Sequence, residues 1–546
     1  MQCMTFYLYL LSALLLGLAW LLPYHYRPWA TYSSEYFAFA ALLALLAATL
    51  HRVQKIPKQG LGILLLSFVP IVQLGLGEIY FSSVAILASL YILSFWFASV
   101  LGYSLADGTD QQSKVFENLS YVFLSCGVLT GLIAIIQWVG VEQHVPGIMN
   151  SPRRPFANFA QPNNMATFLL MSLLSALYLY ENKKIKTTWL ILCILPIVIA
   201  VAMSQSRTAW VASIAIFVYI AYQQYRGVIR LKWWKSTAVL GSFFALLFLL
   251  PTIAQWIAQA ASVDVVQTQN VIARASGDMS RLAIWQQMLH AIALDPWFGH
   301  GFYQTSTAFV KVSEFFQGPV WIRSSHNFVI DFLVWNGVVV GLPFLIYFGY
   351  IGYQLHRHAN TAETVIGLLM IGVFVTHAMF EFPQHYAYFL LPVGFILGIL
   401  QVSQNQKYYL LNAWYSKGIF AVALLLMIWV HHDYNASVDN LNHAMRTEKT
   451  EPKTESVNDV LLLTEFNHRA DMIRLNPYRV FSEADLNEIE KIVQSYPTPY
   501  NLIKYARALA FNGYEQEARY QLQRLKWIKK INVNYDSLLE DAPSAP

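Results

Sequence analysis

Residues 82–101, SSVAILASLYILSFWFASVL, contain no charged side chain, no glycine and no proline. About 20 such residues form a helix about 30 Å long, which matches the hydrocarbon core of a bilayer. The stretch therefore reads as a membrane span. Comparable runs begin near Thr5, Ser34, Gly60, Phe116, Met165, Thr188, Thr208, Thr237, Phe328, Thr364, Tyr386 and Lys417. Together they predict about thirteen spans.

Composition supports this. The 546 residues are 56% hydrophobic and 15% aromatic, and only 12% are Asp, Glu, Lys or Arg. The charged fraction is about half of the roughly 25% usual in soluble domains. The mean hydropathy is +0.42. Disorder, collagen-like sequence and a coiled coil are excluded by these values. The expected class is an all-α polytopic membrane protein.

Charge divides the chain. Residues 1–432 carry 22 Lys/Arg against 14 Asp/Glu, whereas residues 433–546 carry 14 against 17. The front part reads as a transmembrane domain and the remainder as a small soluble one. The net charge of +5 needs no nucleic acid, because cytoplasmic loops of membrane proteins collect Lys and Arg. One alternating set of loops holds Arg52/Lys55/Lys58, Lys114, Lys183/Lys184/Lys186, Arg226/Arg230/Lys232/Lys235, Arg357 and Lys407/Lys417. The opposite short loops hold Arg27, Arg153, Arg154 and Arg207. The first set is then cytoplasmic, the N-terminus inside and the C-terminal domain outside. The initial apolar run lacks a cationic start and a small-residue cleavage site, so it is read as a retained span. Cys3, Cys126 and Cys193 show neither metal-ligand spacing nor a disulfide framework.

Two regions on the outer side exceed what connection requires. Residues 259–325 form a loop long enough to carry function. In the tail, Ser482-Glu-Ala-Asp485 reads as a capping box. Residues 499–528 show helical apolar spacing in two segments joined at Asn512-Gly513, similar to one tetratricopeptide-like helix pair.

Polar side chains at membrane depth or at its edge are costly and mark candidate sites. The outer side gathers Arg153-Arg154, Gln161-Pro162-Asn163-Asn164, Arg207, Arg274, Arg281, Arg323, His326-Asn327, Asp331, His377, Glu381 and His385. Each has a plain alternative. Arg207 could snorkel at a span end, Arg281 could belong to a solvated helix face, and Arg153-Arg154 could meet lipid head groups. His326 could be an interfacial hydrogen-bonding residue, and Glu381 beside Pro383 could form a turn. Several arginines and a histidine with little neutralising acid nevertheless suit a diphosphate and a hydroxyl that must lose a proton. No Asp-x-Asp pair, His-Glu-x-x-His or Walker loop occurs, so a metal or ATP site is disfavoured and no cofactor is expected.

The chain resembles bacterial O-oligosaccharyltransferases of the PglL type, within the O-antigen ligase and polymerase superfamily. The segments that carry the resemblance are Pro23-Tyr-His-Tyr-Arg-Pro-Trp29 with Glu35, Phe156 to Asn164, Ser206-Arg207-Thr208, and Ser280-Arg281 to Trp285 with Gly299-His-Gly301. Further along, Ser325-His326-Asn327 to Asn336-Gly337 with Gly341 matches the family's histidine motif, and Glu381-Phe-Pro-Gln-His-Tyr386-Ala-Tyr388-Phe-Leu390 matches a segment of protein-targeting members.

The resemblance implies en bloc transfer of a glycan from undecaprenyl diphosphate to Ser or Thr of exported proteins such as pilin, in the inner membrane with the site facing the periplasm. It makes His326 the base or acceptor-positioning residue and gives Arg207 and Arg281 the diphosphate. Gln161, Asn163, Tyr386, Tyr388, Glu381, Arg154 and Asn327 would position donor or acceptor. The competing readings are an O-antigen ligase acting on lipid A–core, a lipid-linked glycan polymerase, and a transporter. The soluble tail and the 381–390 segment argue against the ligase, and two inverted halves are not apparent for a transporter.

Overall fold

The computed structural model describes residues 2–108, 110–151, 154–261, 280–316, 321–447 and 458–542. The chain is helical nearly throughout. The first half contains α1 (Gln2–Leu21), α2 (Tyr32–Thr49), the short α3 (Leu61–Leu66) and α4 (Val69–Gly75), α5 (Ser82–Ala106), α6 (Gln111–Val139), α7 (Pro162–Glu181), α8 (Thr187–Ser204), α9 (Arg207–Tyr225) and α10 (Trp233–Ala261). Then follow α11 (Ser280–Leu294), α12 (Thr305–Val312), α13 (Phe328–Arg357), α14 (Ala362–Ala378), α15 (Ala387–Gln401) and α16 (Ala413–Thr447). The tail adds α17 (Thr464–Arg474), α18 (Glu483–Ser495), α19 (Pro499–Phe511) and α20 (Glu515–Lys529). A two-stranded antiparallel ribbon, β1 (Gln54–Pro57) with β2 (Tyr408–Leu411), pairs Gln54 with Leu411 and Pro57 with Tyr408.

Helices occupy every place where a span is expected, but among the described residues ten are long and apolar enough to cross a membrane. The shortfall from thirteen has physical causes. Helix α7 opens on Pro162-Asn163-Asn164, α9 begins at Arg207 and ends in Gln223-Gln224, and α14 has only 17 residues. The run from Gly60 is one candidate span broken into α3 and α4 at Ser67-Phe68.

Two close backbone approaches organise the bundle. Where α5 crosses α15, a side chain on Gly398 would meet the Ser99 carbonyl and one on Gly102 would meet that of Phe395. Small residues at such crossings let membrane helices pack through dispersion, since burial against lipid-like surface gives no hydrophobic gain. The second approach is a break in α13 at Gly337, whose φ is +60°. The segment from Pro296 to Gly301 docks there. Val338 N–H donates to the Pro296 carbonyl (2.8 Å), and His300 N–H donates to that of Val334 (2.8 Å). Gln73 adds a clamp, donating to the Trp335 carbonyl (2.9 Å) and accepting from Phe302 N–H (2.9 Å). The groups freed by the break are thus satisfied by protein, as a low-dielectric setting requires. The Gly299/Gly301 and Asn336-Gly337 motifs belong to this joint, which presses the long loop onto the bundle.

Helix α16 runs unbroken through residue 432 into the tail. Asp433 there is buried and accepts backbone N–H groups of Leu461, Leu462 and Leu463 (2.6–3.1 Å). The expected capping box is present: Ser482 Oγ accepts from Asp485 N–H (3.1 Å), and Asp485 Oδ2 accepts from Ser482 N–H (3.2 Å). Helices α19 and α20 form the expected pair around Gly513, at φ +82°. The tail rests on the bundle near the N-terminal ends of α2 and α5, through Trp29 stacked on Phe466 (5.1 Å) and Glu465 N–H bonded to Ser83 Oγ (3.0 Å).

Candidate active site

Helix α14 ends at Ala378, and the following turn is set by Glu381 N–H donating to the His377 carbonyl (2.8 Å). Pro383 then opens a short 3₁₀ turn that leads to α15. This folding places the Glu381 carboxylate at the junction of four separate chain segments, 5% exposed. One oxygen takes an ion pair from Arg281 and a hydrogen bond from Asn163 Nδ2 (2.9 Å). The other is bonded to His326 Nδ1 (2.8 Å), with Gln161 Nε2 at 3.5 Å. Five of the residues expected from sequence therefore meet at one point.

Burial by itself would raise the Glu381 carboxyl pKa. The hydrogen bond from His326 and the charge of Arg281 outweigh it and hold the group below the usual carboxylate range. An ionised Glu381 accepts from His326 Nδ1–H, which leaves Nε2 of a neutral ring as an acceptor. The side chain is 29% exposed.

His326 is held in an uncommon conformation, with φ at +58°. The turn around it is built on Asp331, one turn into α13 and fully buried. Asp331 accepts from Ser324 Oγ (2.5 Å), Ser325 N–H (2.8 Å) and Thr305 Oγ1 (3.2 Å), while Ser324 Oγ accepts from His326 N–H (3.0 Å). Trp335 Nε1 donates to Thr305 (2.7 Å), and Trp285 Nε1 donates to the Ser325 carbonyl (3.0 Å). Asn327 is the N-cap of α13, its side-chain oxygen accepting from Val329 and Ile330 N–H, and its amide reaches the Met379 carbonyl (3.3 Å).

The remaining expected residues lie around this hub. Tyr386 and Tyr388 stack at 5.2 Å; Tyr388 is buried and its hydroxyl accepts from Asn164 Nδ2 (3.1 Å). Burial raises the Tyr386 hydroxyl, so it stays protonated and available as a donor. Arg207 opens α9, and Ser206 caps that helix through Ala209 N–H (3.3 Å). Arg154 donates to the Ser204 carbonyl (3.2 Å) beside it. Arg323 turns to the tail, bonded to Glu465 and Tyr496 (3.4 Å each). Burial, with Arg323 and His326 nearby, depresses His385 to about 3, which keeps that ring neutral. Arg153 and Arg274 lie outside the described residues. Gln73, Thr305 and Trp335 escaped the sequence reading. Gln73 carried a signal, as a polar residue inside an apolar run.

A multi-pass helical membrane protein with an Arg–Glu–His cluster at one end of its bundle has the make-up of a membrane-embedded transferase. Family models agree: "O-Antigen ligase" matches residues 190–345, "Protein glycosylation ligase" residues 155–180, and "Virulence factor membrane-bound polymerase, C-terminal" residues 365–528. The chain is 39% identical to the general O-oligosaccharyltransferase of Acinetobacter baylyi, over 99% of its own length and 96% of the relative's. It is 26% identical to the ComP-specific O-oligosaccharyltransferase of the same organism, over 72% of this chain and 70% of that one. The chain belongs to the O-oligosaccharyltransferase family, and it is a glycosyl-transferring enzyme of O-linked protein glycosylation.

Proposed function

We propose that the enzyme transfers a preassembled glycan from undecaprenyl diphosphate to a Ser or Thr hydroxyl of exported proteins, pilin among them. The observation that carries this reading is the His326–Glu381–Arg281 cluster, which joins a base to a diphosphate ligand. His326 Nε2 takes the hydroxyl proton as the acceptor oxygen bonds to the anomeric carbon. The bond from that carbon to the diphosphate breaks, and the charge left on the diphosphate meets the guanidinium groups of Arg281 and Arg207. Arginine takes the leaving charge, so the reaction draws on no metal or other cofactor. Asn163 and Gln161 hold Glu381, Tyr386 donates to the donor or acceptor, Tyr388 acts through Asn164, and Arg154 steadies the Ser204–Arg207 turn. Co-expression with a lipid-linked glycan pathway and candidate exported proteins, followed by intact-protein mass analysis, tests it. Glycan found on lipid A–core or on another lipid-linked glycan, with none on protein, would reject it.

The proposal includes an orientation in the inner membrane: N-terminus in the cytoplasm, thirteen crossings with α7, α9 and α14 among them, and site and tail in the periplasm. The alternating basic loops support it. A cytoplasm-dependent reporter fused after Pro546 should be silent, and strong activity would refute the span count.

Asp331 acts through His326 rather than on substrate. Asp331→Ala should release the Ser324–Ser325 turn and lower kcat by about 10²-fold, the scale of a 1 Å misplacement. KM for the acceptor should change little. A comparable rise in KM with kcat preserved would show that the network serves acceptor binding instead.

A further inference from the structure

Helices α7, α8, α9 and α10 line a partly open cleft, apart from the Glu381 cluster, with a cavity volume of about 150 Å³. Its walls are apolar: Leu170 and Leu177 of α7, Ile194 of α8, Ile220 of α9 and Phe243 of α10 are representative. On α7 the lining runs from Leu170 to Tyr180. Ten residues of helix span about 15 Å, half of a bilayer's hydrocarbon core. The cavity is thus one leaflet deep. It lies in the half of the bundle away from the catalytic end, because α7 enters at Pro162, beside Asn163, and reaches Tyr180 one bilayer thickness later.

The mouth is cationic. Lys235 and Tyr180 both line it, and Lys235 Nζ donates to the Tyr180 hydroxyl (2.6 Å), leaving further ammonium donors. Residues 182–186 carry three lysines, and residues 226–235 carry two arginines and two lysines, with no acidic residue in either loop. Glu181 beside them accepts from the Arg230 backbone N–H (2.9 Å), and Lys184 is paired with Glu117 (2.7 Å). Leaflet depth, apolar walls and a basic rim together describe a diacyl lipid with an anionic head. Basic pockets between spans on the basic-loop face recognise such head groups. The isoprenoid tail of a donor held at the opposite face fits less well, since the cavity's polar end is remote from Arg207.

We propose that this cleft is a binding site for an anionic phospholipid, its acyl chain between α7 and α10 and its phosphate at Lys235. The full-length protein in mild detergent, titrated with phosphatidylglycerol or phosphatidylcholine and read by native mass spectrometry, tests the proposal. The wild type should retain phosphatidylglycerol about tenfold better. Lys235→Gln removes the charge and should abolish that preference with phosphatidylcholine retention unchanged, which also reports an intact fold. Val239→Trp fills the cleft and should lower retention of both lipids. Equal retention of the two lipids by the wild type overturns the proposal. So does a preference that survives Lys235→Gln, or a polyprenyl phosphate as the lipid displaced by Val239→Trp.

Discussion

His326→Ala is expected to cut glycosylated acceptor per unit of membrane-inserted enzyme by about 10²–10⁴-fold, the usual worth of a positioned general base. Expression and insertion should persist. The ring is part-exposed, its backbone turn is held by Ser324 and Asp331, and its Nδ1 bond serves Glu381 rather than the core. His326→Gln refines the test, because an amide can occupy the Nδ1 position without offering a basic nitrogen, and it should fail as badly as alanine. Donor must be in excess so that the loss reports the chemical step. Near-normal glycosylation by either variant would reduce His326 to a structural residue of the long loop.

The membrane part was legible because lipid imposes a crude rule: apolar runs of sufficient length become helices, and every expected span position is helical. The rule weakened where function entered. Asn163, Asn164 and Arg207 dilute α7 and α9, so two of the expected spans that fall short are those that open on candidate polar residues. The site was half legible. Glu381, Arg281, His326, Gln161 and Asn163 stood out as costly polar residues and through family resemblance. Their convergence was not legible, since the partners of Glu381 lie 55 to 220 residues away. Taken alone, Glu381 beside Pro383 reads equally well as a turn residue. The supports were hidden for a different reason. Trp335 and Thr305 act through buried hydrogen bonds that lead to Asp331, and Gln73 through bonds at the break in α13; no local pattern announces that a loop will dock into a helix. The glycines marked the place, with φ at +74° for Gly299 and +60° for Gly337, without revealing that they face each other.

Glu381→Gln should be nearly as damaging as loss of the histidine, although it changes only one atom type. The carboxylate presents acceptors alone, so the ring can meet it only as Nδ1–H, and Nε2 is thereby left free to take a proton. A carboxamide can present its NH₂ to Nδ1, which favours the opposite tautomer and puts a proton on Nε2. In serine-protease triads the equivalent exchange costs about 10⁴-fold in kcat, and about 10³–10⁴-fold is expected here on that analogy. The same substitution removes the negative charge between Arg281 and His326. Arg281 then holds a full, uncompensated charge, so donor binding should hold or tighten even as turnover collapses. That split separates the roles: Arg281→Lys, which loses the planar fork, should instead weaken donor binding together with turnover. Glu381→Asp keeps the charge but withdraws it by one methylene, and should fall between wild type and Glu381→Gln. A Glu381→Gln enzyme that loses donor affinity in proportion to kcat would contradict the tautomer argument and assign Glu381 to building the diphosphate site alone.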